Sequence, residues 1–394
     1  MTIDPRPLLH VAQLGFFKDP QGRSPSELLD LWPTLVDVAE AASSSGVRVS
    51  VVQACARTEQ LTRGGVRYYF LPFGESPGSG GNAPLGKLLR SLSPDVLHVH
   101  GLCFPRDVLS LAALAPDRPI ILQDHANGPP RIWRRASWRR GLSVAAAIAF
   151  CATEQARPFA NAGLLPKHAP LYEIPESTSR FTPGDREEAR RKTALHGDPA
   201  VLWVGHLDAN KDPLTVLKGI GAAAGALPEL RLYCCFGIAP LLRPVQERIA
   251  SDPNLRDRVQ LLGRVTHERV EQLMRAADLF VLGSHREGSG YSLIEALACG
   301  LPPVVTDIPS FRTLTGAGAV GELWPCGDSH ALCAALLSVA KRSGGELRAA
   351  VRAHFDRELS FDALGAKLAA MYQEVNERAR RAAVPAPPFI GMAR

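Results

Sequence analysis

Short apolar runs alternate with helix-forming stretches along most of this 394-residue chain, and this alternation constrains the fold more than any other feature. Strands that alternate with helices favour a parallel sheet. A first series of predicted strands covers residues 8–12, 47–52, 66–71, 96–100, 120–123 and 146–150, and a second covers 201–204, 231–236, 259–262, 279–282 and 303–306. We therefore predict an α/β protein with two Rossmann-like domains, each built on a parallel sheet.

The stretch between the two series is the predicted linker. Residues 172–184 read Y-E-I-P-E-S-T-S-R-F-T-P-G, in which two prolines and several small polar residues interrupt the pattern. The predicted domains are 1–175 and 184–360, followed by a helix over 361–381 that packs back on the first domain. That helix has one apolar stripe, formed by Leu364, Leu368, Met371 and Val375. Ligands bind beyond the carboxyl ends of parallel strands, so we expect the two domains to face each other across a cleft.

Composition and charge narrow the class of protein. With 46% hydrophobic and 21% charged residues, the chain is typical of a folded globular protein, and its formal charge of +6 suits phosphate-bearing small molecules without requiring nucleic acid. The eight cysteines form no C-x-x-C pair and lie in apolar segments, which predicts reduced, buried thiols. The richest apolar stretch, residues 144–151, is too short to span a bilayer. We expect a cytoplasmic protein.

Residues 277–309 carry the most informative pattern, which reads as strand, polar loop, helix and strand. The helix is predicted to begin near Tyr291 and to end at Gly300 in a left-handed cap. The sequence Gly288-Ser289-Gly290 lies directly before it, so free amide groups and the positive end of the helix dipole are expected to bind a phosphate there.

Two carboxylates accompany this predicted phosphate site. Glu287 precedes the glycines and Glu295 lies further along the helix. A carboxylate beside a diphosphate is unfavourable unless it accepts hydrogen bonds, and sugars supply paired hydroxyl groups for that purpose. The pattern therefore indicates a phosphorylated sugar as ligand.

The stretch E-G-S-G-Y-S-L-I-E, from Glu287 to Glu295, resembles the E-x7-E signature of retaining GT-B glycosyltransferases, the family 4-like "glycosyl transferases group 1". The flanking runs A-A-D-L-F-V-L-G-S and E-A-L-A-C-G-L-P-P-V-V-T-D match the family pattern as well. The resemblance implies a GT-B fold and transfer from a nucleotide-diphosphate sugar, such as a UDP- or GDP-sugar, without metal or cofactor. It implies that Glu287 contacts the donor sugar and Glu295 the ribose, and that the phosphates lie on backbone groups of Gly288, Ser289, Gly290, Tyr291 and Ser292.

A second predicted donor segment, V-L-W-V-G-H-L-D-A-N-K-D-P, covers residues 201–213, with Asp212 as helix N-cap. The family usually has Arg at the place of His206 and Lys at the place of Lys211, a pair that neutralises the departing diphosphate. Lys211 matches, and the resemblance makes it a catalytic residue together with Glu287. His206 departs from the pattern; we expect it to bind the diphosphate in its protonated form, so that donor affinity weakens above about pH 7.

Further donor contacts are implied at two places. In L-L-G-R-V, residues 261–265, Arg264 and Val265 are expected to lie against the nucleotide base. Many relatives have a Gly-Gly pair after the first strand, where this chain has only Gly15, which we expect to approach the donor. The glycine-rich run at 77–81 is predicted to be a surface loop, because it does not lead from a strand into a helix.

The first domain is expected to bind the acceptor. The strand ends D-V-L-H-V-H-G and I-L-Q-D-H-A resemble those that face the acceptor in relatives. His125 is expected to contact the acceptor as a third catalytic residue, and a packed histidine with backbone partners is the alternative that stays open. His98 and His100 are expected to point to opposite faces of their strand and to form no metal pair. No metal site is predicted.

The segment R-I-W-R-R-A-S-W-R-R, from Arg131 to Arg140, holds five arginines and two tryptophans. It suits an anionic membrane or a lipid-linked substrate, which would place the protein peripherally at the inner face of the membrane. The simpler interpretation, a solvated basic helix face, is slightly favoured.

Retaining transfer by this family proceeds as a front-face displacement, in which the donor phosphate helps to take the acceptor proton. The donor sugar, its base and the acceptor, whether glycan, lipid-linked or small molecule, are not predicted. A nucleotide-sugar 2-epimerase of GT-B fold and a non-catalytic nucleotide-sugar-binding protein remain as alternatives. A nicotinamide oxidoreductase is disfavoured, because no G-x-G-x-x-G follows a first strand.

Overall fold

The computed structural model describes residues 8–74, 83–342 and 344–383. The chain divides into two compact units. The first comprises the described residues up to Ile174 together with those from Gly365 onwards, and the second runs from Pro175 to Leu364. The predicted loop at 77–81 lies outside the described residues.

The first unit contains strands β1 (His10–Gly15), β2 (Arg48–Ala54), β3 (Glu59–Arg63), β4 (Val66–Leu71), β5 (Val96–His100), β6 (Ile120–Gln123), β7 (Ala145–Phe150) and β8 (Leu171–Glu173). Its helices are α1 (Pro25–Leu31), α2 (Pro33–Ser44), α3 (Ala83–Leu92), α4 (Pro105–Leu114), α5 (Arg135–Leu142) and α6 (Arg157–Asn161). Short 3-10 helices cover Ile132–Arg134 and Thr153–Ala156.

Within the described residues, these strands form one sheet in the order β3-β4-β2-β1-β5-β6-β7-β8. All neighbouring pairs are parallel except β3 and β4, which form an antiparallel hairpin. The hairpin turns at Gly64 and Gly65, whose φ angles of 53° and 78° favour glycine. Because β1 pairs with β2 on one side and β5 on the other, the chain reverses direction across the sheet there, and such a point is a common place for a ligand.

The long C-terminal helix, α16 (Phe361–Ala383), contributes to the core of the first unit. Its predicted stripe is confirmed, because all four apolar side chains are buried: Leu364, Leu368, Met371 and Val375. From Gly365 onwards the helix belongs to the first unit, and its Tyr372 is fully buried among strand residues. The Tyr372 hydroxyl accepts a hydrogen bond from Gln13 Nε2 at 3.1 Å and lies 2.7 Å from His98 Nδ1.

The second unit contains strands β9 (Ala200–Val204), β10 (Arg231–Cys235), β11 (Val259–Gly263), β12 (Leu279–Leu282), β13 (Pro303–Thr306) and β14 (Glu322–Trp324). Its helices are α7 (Arg186–Thr193), α8 (Pro213–Ala223), α9 (Leu242–Ser251), α10 (Pro253–Arg256), α11 (His267–Ala276), α12 (Tyr291–Ala298), α13 (Pro309–Leu314), α14 (Ser329–Arg342) and α15 (Gly345–Glu358). The described strands form a parallel sheet in the order β11-β10-β9-β12-β13-β14.

The predicted class of two parallel-sheet α/β units is confirmed, and every predicted strand occurs within three residues of its expected ends. The predicted caps at Gly300, with φ of 67°, and at Asp212, which accepts a hydrogen bond from Thr215 N–H, are also present. All eight cysteines are free, but the prediction that they are buried is wrong for Cys103 and Cys326. None of the described helices is long and apolar enough to cross a bilayer.

Candidate functional site

Two loops of the second unit meet at the carboxyl edge of its sheet. β9 and β12 are neighbouring parallel strands, so the loops that follow them, residues 205–212 and 283–290, start side by side. The amide of His285 donates to the Asn210 carbonyl at 2.8 Å, and Asn210 Nδ2 donates to the Arg286 carbonyl at 2.9 Å. His285 Nε2 also lies 3.1 Å from the Asp212 carboxylate. These bonds fix the two loops to each other.

Lys211 and Glu287 form an ion pair between these loops. Lys211 Nζ donates to Glu287 Oε1, and the two side chains are only 15% and 13% exposed. The backbone amide of Lys211 donates to Asp208 Oδ1 at 2.9 Å, which holds the residue in its turn. The lysine stem lies near Gly205, where a Cβ would be 3.8 Å from Lys211 Cδ. The sequence singled out both ion-pair partners, and the structure brings them into direct contact.

The turn before α12 depends on two glycines. At Gly290, φ is 82° and a Cβ would approach the Phe311 ring to 2.6 Å, so a side chain is excluded twice over. At Gly288, a Cβ would overlap the carboxylate of Glu176. The amide of Glu176 donates to Ser289 Oγ at 2.8 Å. Sequence reasoning missed Glu176, because it lies in the predicted linker and no spacing relates it to the turn.

This turn leads directly into the N-terminus of α12. Gly290 is the N-cap, and its carbonyl accepts the amides of Leu293 at 3.0 Å and Ile294 at 3.3 Å. The amides of Tyr291 and Ser292 therefore belong to the first helical turn, where backbone donors and the positive dipole end favour an anion. The Lys211 ammonium binds the residue that starts this turn. Positive charge and anion-binding backbone thus occur together in the second unit.

Glu295 lies in the next turns of α12 and accepts a hydrogen bond from His267 Nε2 at 2.6 Å. This bond raises the pKa of His267 above its ordinary value of 6.5, because the carboxylate favours the protonated ring. The ring lies 4.5 Å from that of Phe181, and it remains 65% exposed. The short connection from β11 to α11 also contains Arg264, which is exposed, and Val265, which is half-buried.

The structure therefore brings Glu295 to the connection in which two other predicted donor residues lie. His267 makes that link, and sequence reasoning missed it. His267 lies at the N-terminus of α11, 28 residues before Glu295. Nothing in the sequence indicated that its imidazole would contact that carboxylate.

His206 is exposed and follows β9 directly. Its Nδ1 accepts the amide of Ile238 at 3.3 Å, and the Ile238 carbonyl accepts the amide of Leu207 at 2.9 Å. An accepting Nδ1 places the proton of the neutral ring on Nε2. Nε2 is therefore the atom that can donate a hydrogen bond to a ligand.

A pocket of about 370 Å³ opens in the first unit, where β1, β2, β5 and β6 end. Gly15 and Gln53 lie at two of these strand ends, and a Cβ at Gly15 would overlap Gln53 Oε1. Gln53 Nε2 donates to the Phe17 carbonyl at 2.6 Å. The lining combines aromatic walls with a few polar groups: Gly15, Phe17, Trp32, Thr34, Leu35, Gln53, His100, Gly101, Cys103, Phe104, His125 and Asn127.

Three histidines lead from this pocket into the core of the first unit. The prediction that His98 and His100 point to opposite faces is wrong: residues two apart on a strand share a face, and their ring centroids lie 4.5 Å apart. His100 Nδ1 lies 3.1 Å from His125 Nε2, and both residues line or border the pocket. Burial lowers the pKa of His98 to about 3 and that of His100 well below 6.5, so both rings are neutral.

His125 is half-buried, bonded to His100 and part of the pocket wall. It is therefore placed to contact a ligand of the first unit. Over the described ranges, no group of three or more His, Cys, Asp or Glu side chains is arranged to hold a metal ion.

Comparisons with known proteins match both units. Residues 185–354 match the family described as "Glycosyl transferases group 1", and residues 34–167 match "Glycosyltransferase Family 4". Together the two family models span most of the chain, and each lies within one of the two units.

Two relatives are similar over part of their length. One is a D-inositol 3-phosphate glycosyltransferase of Geodermatophilus obscurus, 34% identical over 214 residues, which are 52% of this chain and 47% of the relative. Another is a GDP-mannose:cellobiosyl-diphosphopolyprenol alpha-mannosyltransferase of Xanthomonas campestris, 26% identical over 59% of this chain and 60% of the relative. The chain thus spans less than two thirds of the length of the relatives it matches.

Among solved structures, the chain is similar to HepE of Anabaena in complex with UDP. The TM-score is 0.68 at 17% identity, over 93% of this chain and all of that one. At this identity the likeness shows the GT-B fold.

Proposed function

We propose that this chain, which belongs to the group 1 glycosyltransferases of the family 4 type, transfers a sugar with retention of configuration from a nucleotide-diphosphate sugar to an acceptor. The observation that carries the proposal is the contact of Lys211 with Glu287 at the start of the turn that leads into α12. This arrangement places a cation in direct contact with a carboxylate that lies four residues before a helix N-terminus. A sugar diphosphate needs such a combination, since its two ends differ in charge.

The donor's diphosphate is assigned to the positive part of the site. The first-turn amides of α12, together with the ammonium of Lys211, provide charge and directed hydrogen bonds. His206 contributes the N–H group of its Nε2, which can donate a hydrogen bond to the diphosphate. These groups face charge that grows on the leaving diphosphate, so they stabilise the transition state more than the ground state. No metal or cofactor is part of the proposal.

The sugar and the nucleoside are assigned to the two carboxylates. Glu287 accepts hydrogen bonds from the donor sugar's hydroxyl groups, and its present partner Lys211 offsets its charge beside the phosphates. Glu295 accepts from the ribose hydroxyls in place of, or together with, His267. Arg264 and Val265 are assigned to the nucleotide base of the donor. The structure of HepE with UDP and the relative named for GDP-mannose support a nucleotide-diphosphate sugar as the kind of donor.

Transfer is proposed to follow the front-face route. The acceptor hydroxyl attacks the anomeric carbon from the side of the leaving group, the bond to the diphosphate oxygen breaks, and that oxygen helps to take the hydroxyl proton. The protein's part is to hold the donor and to stabilise the leaving charge through Lys211. This division of labour requires no side-chain nucleophile.

The acceptor is assigned to the pocket of the first unit. His125 offers a ring nitrogen to an acceptor hydroxyl, and Phe17, Trp32 and Phe104 offer flat apolar surface on which a sugar ring can pack. The described residues that line the pocket include no lysine or arginine, which favours an uncharged acceptor moiety over a phosphorylated one. Glycans, small molecules and sugars carried on lipids all meet this description.

Free thiols at all eight cysteines suit the reducing cytoplasm, where we propose that the transfer takes place.

Product analysis tests the proposal. Purified chain is incubated with UDP- and GDP-sugars and a panel of uncharged acceptors, and NMR coupling constants give the anomeric configuration of the product. The expected result is a product with the donor's own anomeric configuration, formed by wild type and by the control His330→Gln, an exposed histidine outside the site, but not by Lys211→Met. An inverted product contradicts retention, and conversion of the donor without acceptor supports the 2-epimerase alternative.

A further inference from the structure

The basic segment, residues 131–140, is a surface that neither the donor nor the acceptor assignment uses. It begins with the 3-10 helix Ile132–Arg134 and continues into α5. Of the large apolar side chains in the described residues, Ile132 and Trp133 are the two most exposed, at 72% and 71%, and they are adjacent. Arg131 stacks on Trp133, with its guanidinium 5.4 Å from the ring centroid. Adjacent exposed apolar side chains that are surrounded by polar residues are a feature of surfaces that bind a partner or a membrane.

Positive charge surrounds this apolar pair. Four exposed arginines belong to the segment: Arg131, Arg134, Arg139 and Arg140. No aspartate or glutamate occurs in the sequence between Asp124 and Glu154, so the segment has no acidic residue of its own. A surface with apolar side chains at its centre and arginines around them is complementary to anionic lipid headgroups over hydrocarbon.

The segment rests on a rigid base. Trp138 is buried and stacks on Phe159 at 6.4 Å, and Leu142 belongs to the same hydrophobic core. A Cβ at Gly141 would overlap Pro105, so α5 packs closely on α4. Arg139 Nε donates to the Gly163 carbonyl at 2.9 Å. Because α5 is packed against the core in this way, the segment that precedes it is held in place, and the side chains of Ile132 and Trp133 stay exposed to solvent.

We propose that the basic segment docks the chain on an anionic bilayer, with Trp133 and Ile132 inserted at the level of the headgroups and the arginines paired with lipid phosphates. The adjacent exposed side chains of Ile132 and Trp133 favour this proposal over a solvated basic face. The segment begins four residues after Asn127, which lines the pocket of the first unit. Docking therefore brings the pocket near the membrane surface, where a lipid-carried acceptor is found. The docking itself does not depend on the proposed transfer.

Co-sedimentation of the full chain with vesicles tests the proposal without any substrate. Vesicles of pure phosphatidylcholine are compared with vesicles that contain phosphatidylglycerol, at low and high salt. We expect binding only to the anionic vesicles and its loss in 1 M salt, where the Debye length falls to about 3 Å. Absence of binding, or equal binding to both vesicle types, overturns the proposal.

Matched variants assign the binding to the segment. Substitution of Arg131, Arg134 and Arg140 by Gln is expected to lower the partition coefficient by more than about tenfold, since each basic residue near the surface contributes roughly fivefold. The control replaces Arg191, Arg243 and Arg256, which are exposed in the second unit, and changes net charge equally. Equal losses in the two triple variants contradict a specific surface.

A second pair of variants tests insertion. Ile132→Ser with Trp133→Ser is expected to weaken partition by about tenfold, whereas Leu8→Ser with Leu171→Ser, also exposed, leaves it unchanged. Tryptophan emission should shift to the blue on vesicle binding in wild type and not in Trp133→Phe, because Trp138, Trp203 and Trp324 are already buried and the half-buried Trp32 lies outside the basic segment. Binding to an anionic oligonucleotide that matches binding to vesicles overturns the lipid assignment.

Discussion

Lys211 donates a hydrogen bond to Glu287 across 76 residues of sequence, and both side chains are largely shielded from water. The loops that carry them follow neighbouring strands β9 and β12, so the contact is a consequence of strand order. Each residue offsets the charge of the other in a place where a lone charge is costly.

Removal of this lysine separates its catalytic role from its structural role. Lys211→Met is expected to lower kcat by about 100-fold or more, because it removes positive charge opposite the leaving group. It also leaves the Glu287 carboxylate without its cation, which costs about 2 kcal/mol of stability. The double variant Lys211→Met with Glu287→Gln should regain the stability, measured by urea unfolding, whereas the kcat of folded Lys211→Met, measured well below its melting temperature, should stay low. Recovery of activity in the double variant would show that Lys211 acts only on folding.

Gly288 is expected to tolerate no side chain. A Cβ there overlaps the Glu176 carboxylate, so Gly288→Ala should destabilise the chain by about 1–3 kcal/mol and weaken donor binding. The control is Gly225→Ala, where a Cβ meets open space and the expected change is within about 0.5 kcal/mol. Thermal unfolding measures both variants. Equal melting temperatures would show that the turn moves away from Glu176 at no cost.

Glu295 should set the titration of His267. The pKa of His267 is raised in the folded chain, so the pair stabilises the fold below about pH 6.5, and this contribution is lost as the pH rises through the folded pKa. NMR titration of the ring proton should show a lower pKa in Glu295→Gln and a smaller change in Glu268→Gln, whose charge acts more weakly. An unchanged pKa in Glu295→Gln contradicts the assigned contact.

His206 should contribute one hydrogen bond to the bound donor. Its Nδ1 accepts the Ile238 amide, so the ring donates through Nε2. His206→Ala is expected to raise donor KM by about tenfold, since a hydrogen bond to a charged group contributes roughly 1.5 kcal/mol. His330→Ala, an exposed histidine of the second unit, serves as the control and should leave KM unchanged. An unchanged KM in His206→Ala would exclude His206 from the diphosphate.

The Tyr372 hydroxyl should stabilise the first unit. Tyr372→Phe removes the partner of Gln13 and of His98, which are both buried, and is expected to cost about 2 kcal/mol in urea unfolding. The control is Tyr69→Phe, because Tyr69 of β4 is only half-buried. If the two variants are equally stable, the hydrogen bonds to Tyr372 contribute nothing net.

The positions of most strands and the long C-terminal helix could be predicted because buried parallel strands are mostly apolar and the helix repeats its apolar residues at each turn. Strand β3 was missed because its sequence, E-Q-L-T-R, is polar at an exposed sheet edge. Strand β8 was missed because two of its three residues lie in the predicted linker, and β14 because it has only three residues.

The site was predicted less completely than the fold. Lys211 and Glu287 lie in segments that match the family pattern, and the structure brings their side chains into contact. Glu176 and His267 reach the site through tertiary packing, for which no local pattern exists. For His98 and His100 the error was one of geometry, since alternate residues of a strand share a face.

The most direct test of the account measures the melting temperature of the chain with UDP-, GDP- and ADP-sugars at saturating concentration. A donor at 100 times its Kd stabilises by about 2.7 kcal/mol, which for a chain of this kind is a shift of several degrees. We predict such a shift for at least one donor with wild type and smaller shifts with Glu287→Gln and with Lys211→Met. Two results would contradict the assignment of the donor to Lys211 and Glu287. One is that no nucleotide sugar raises the melting temperature of wild type, and the other is an equal shift in wild type and both variants.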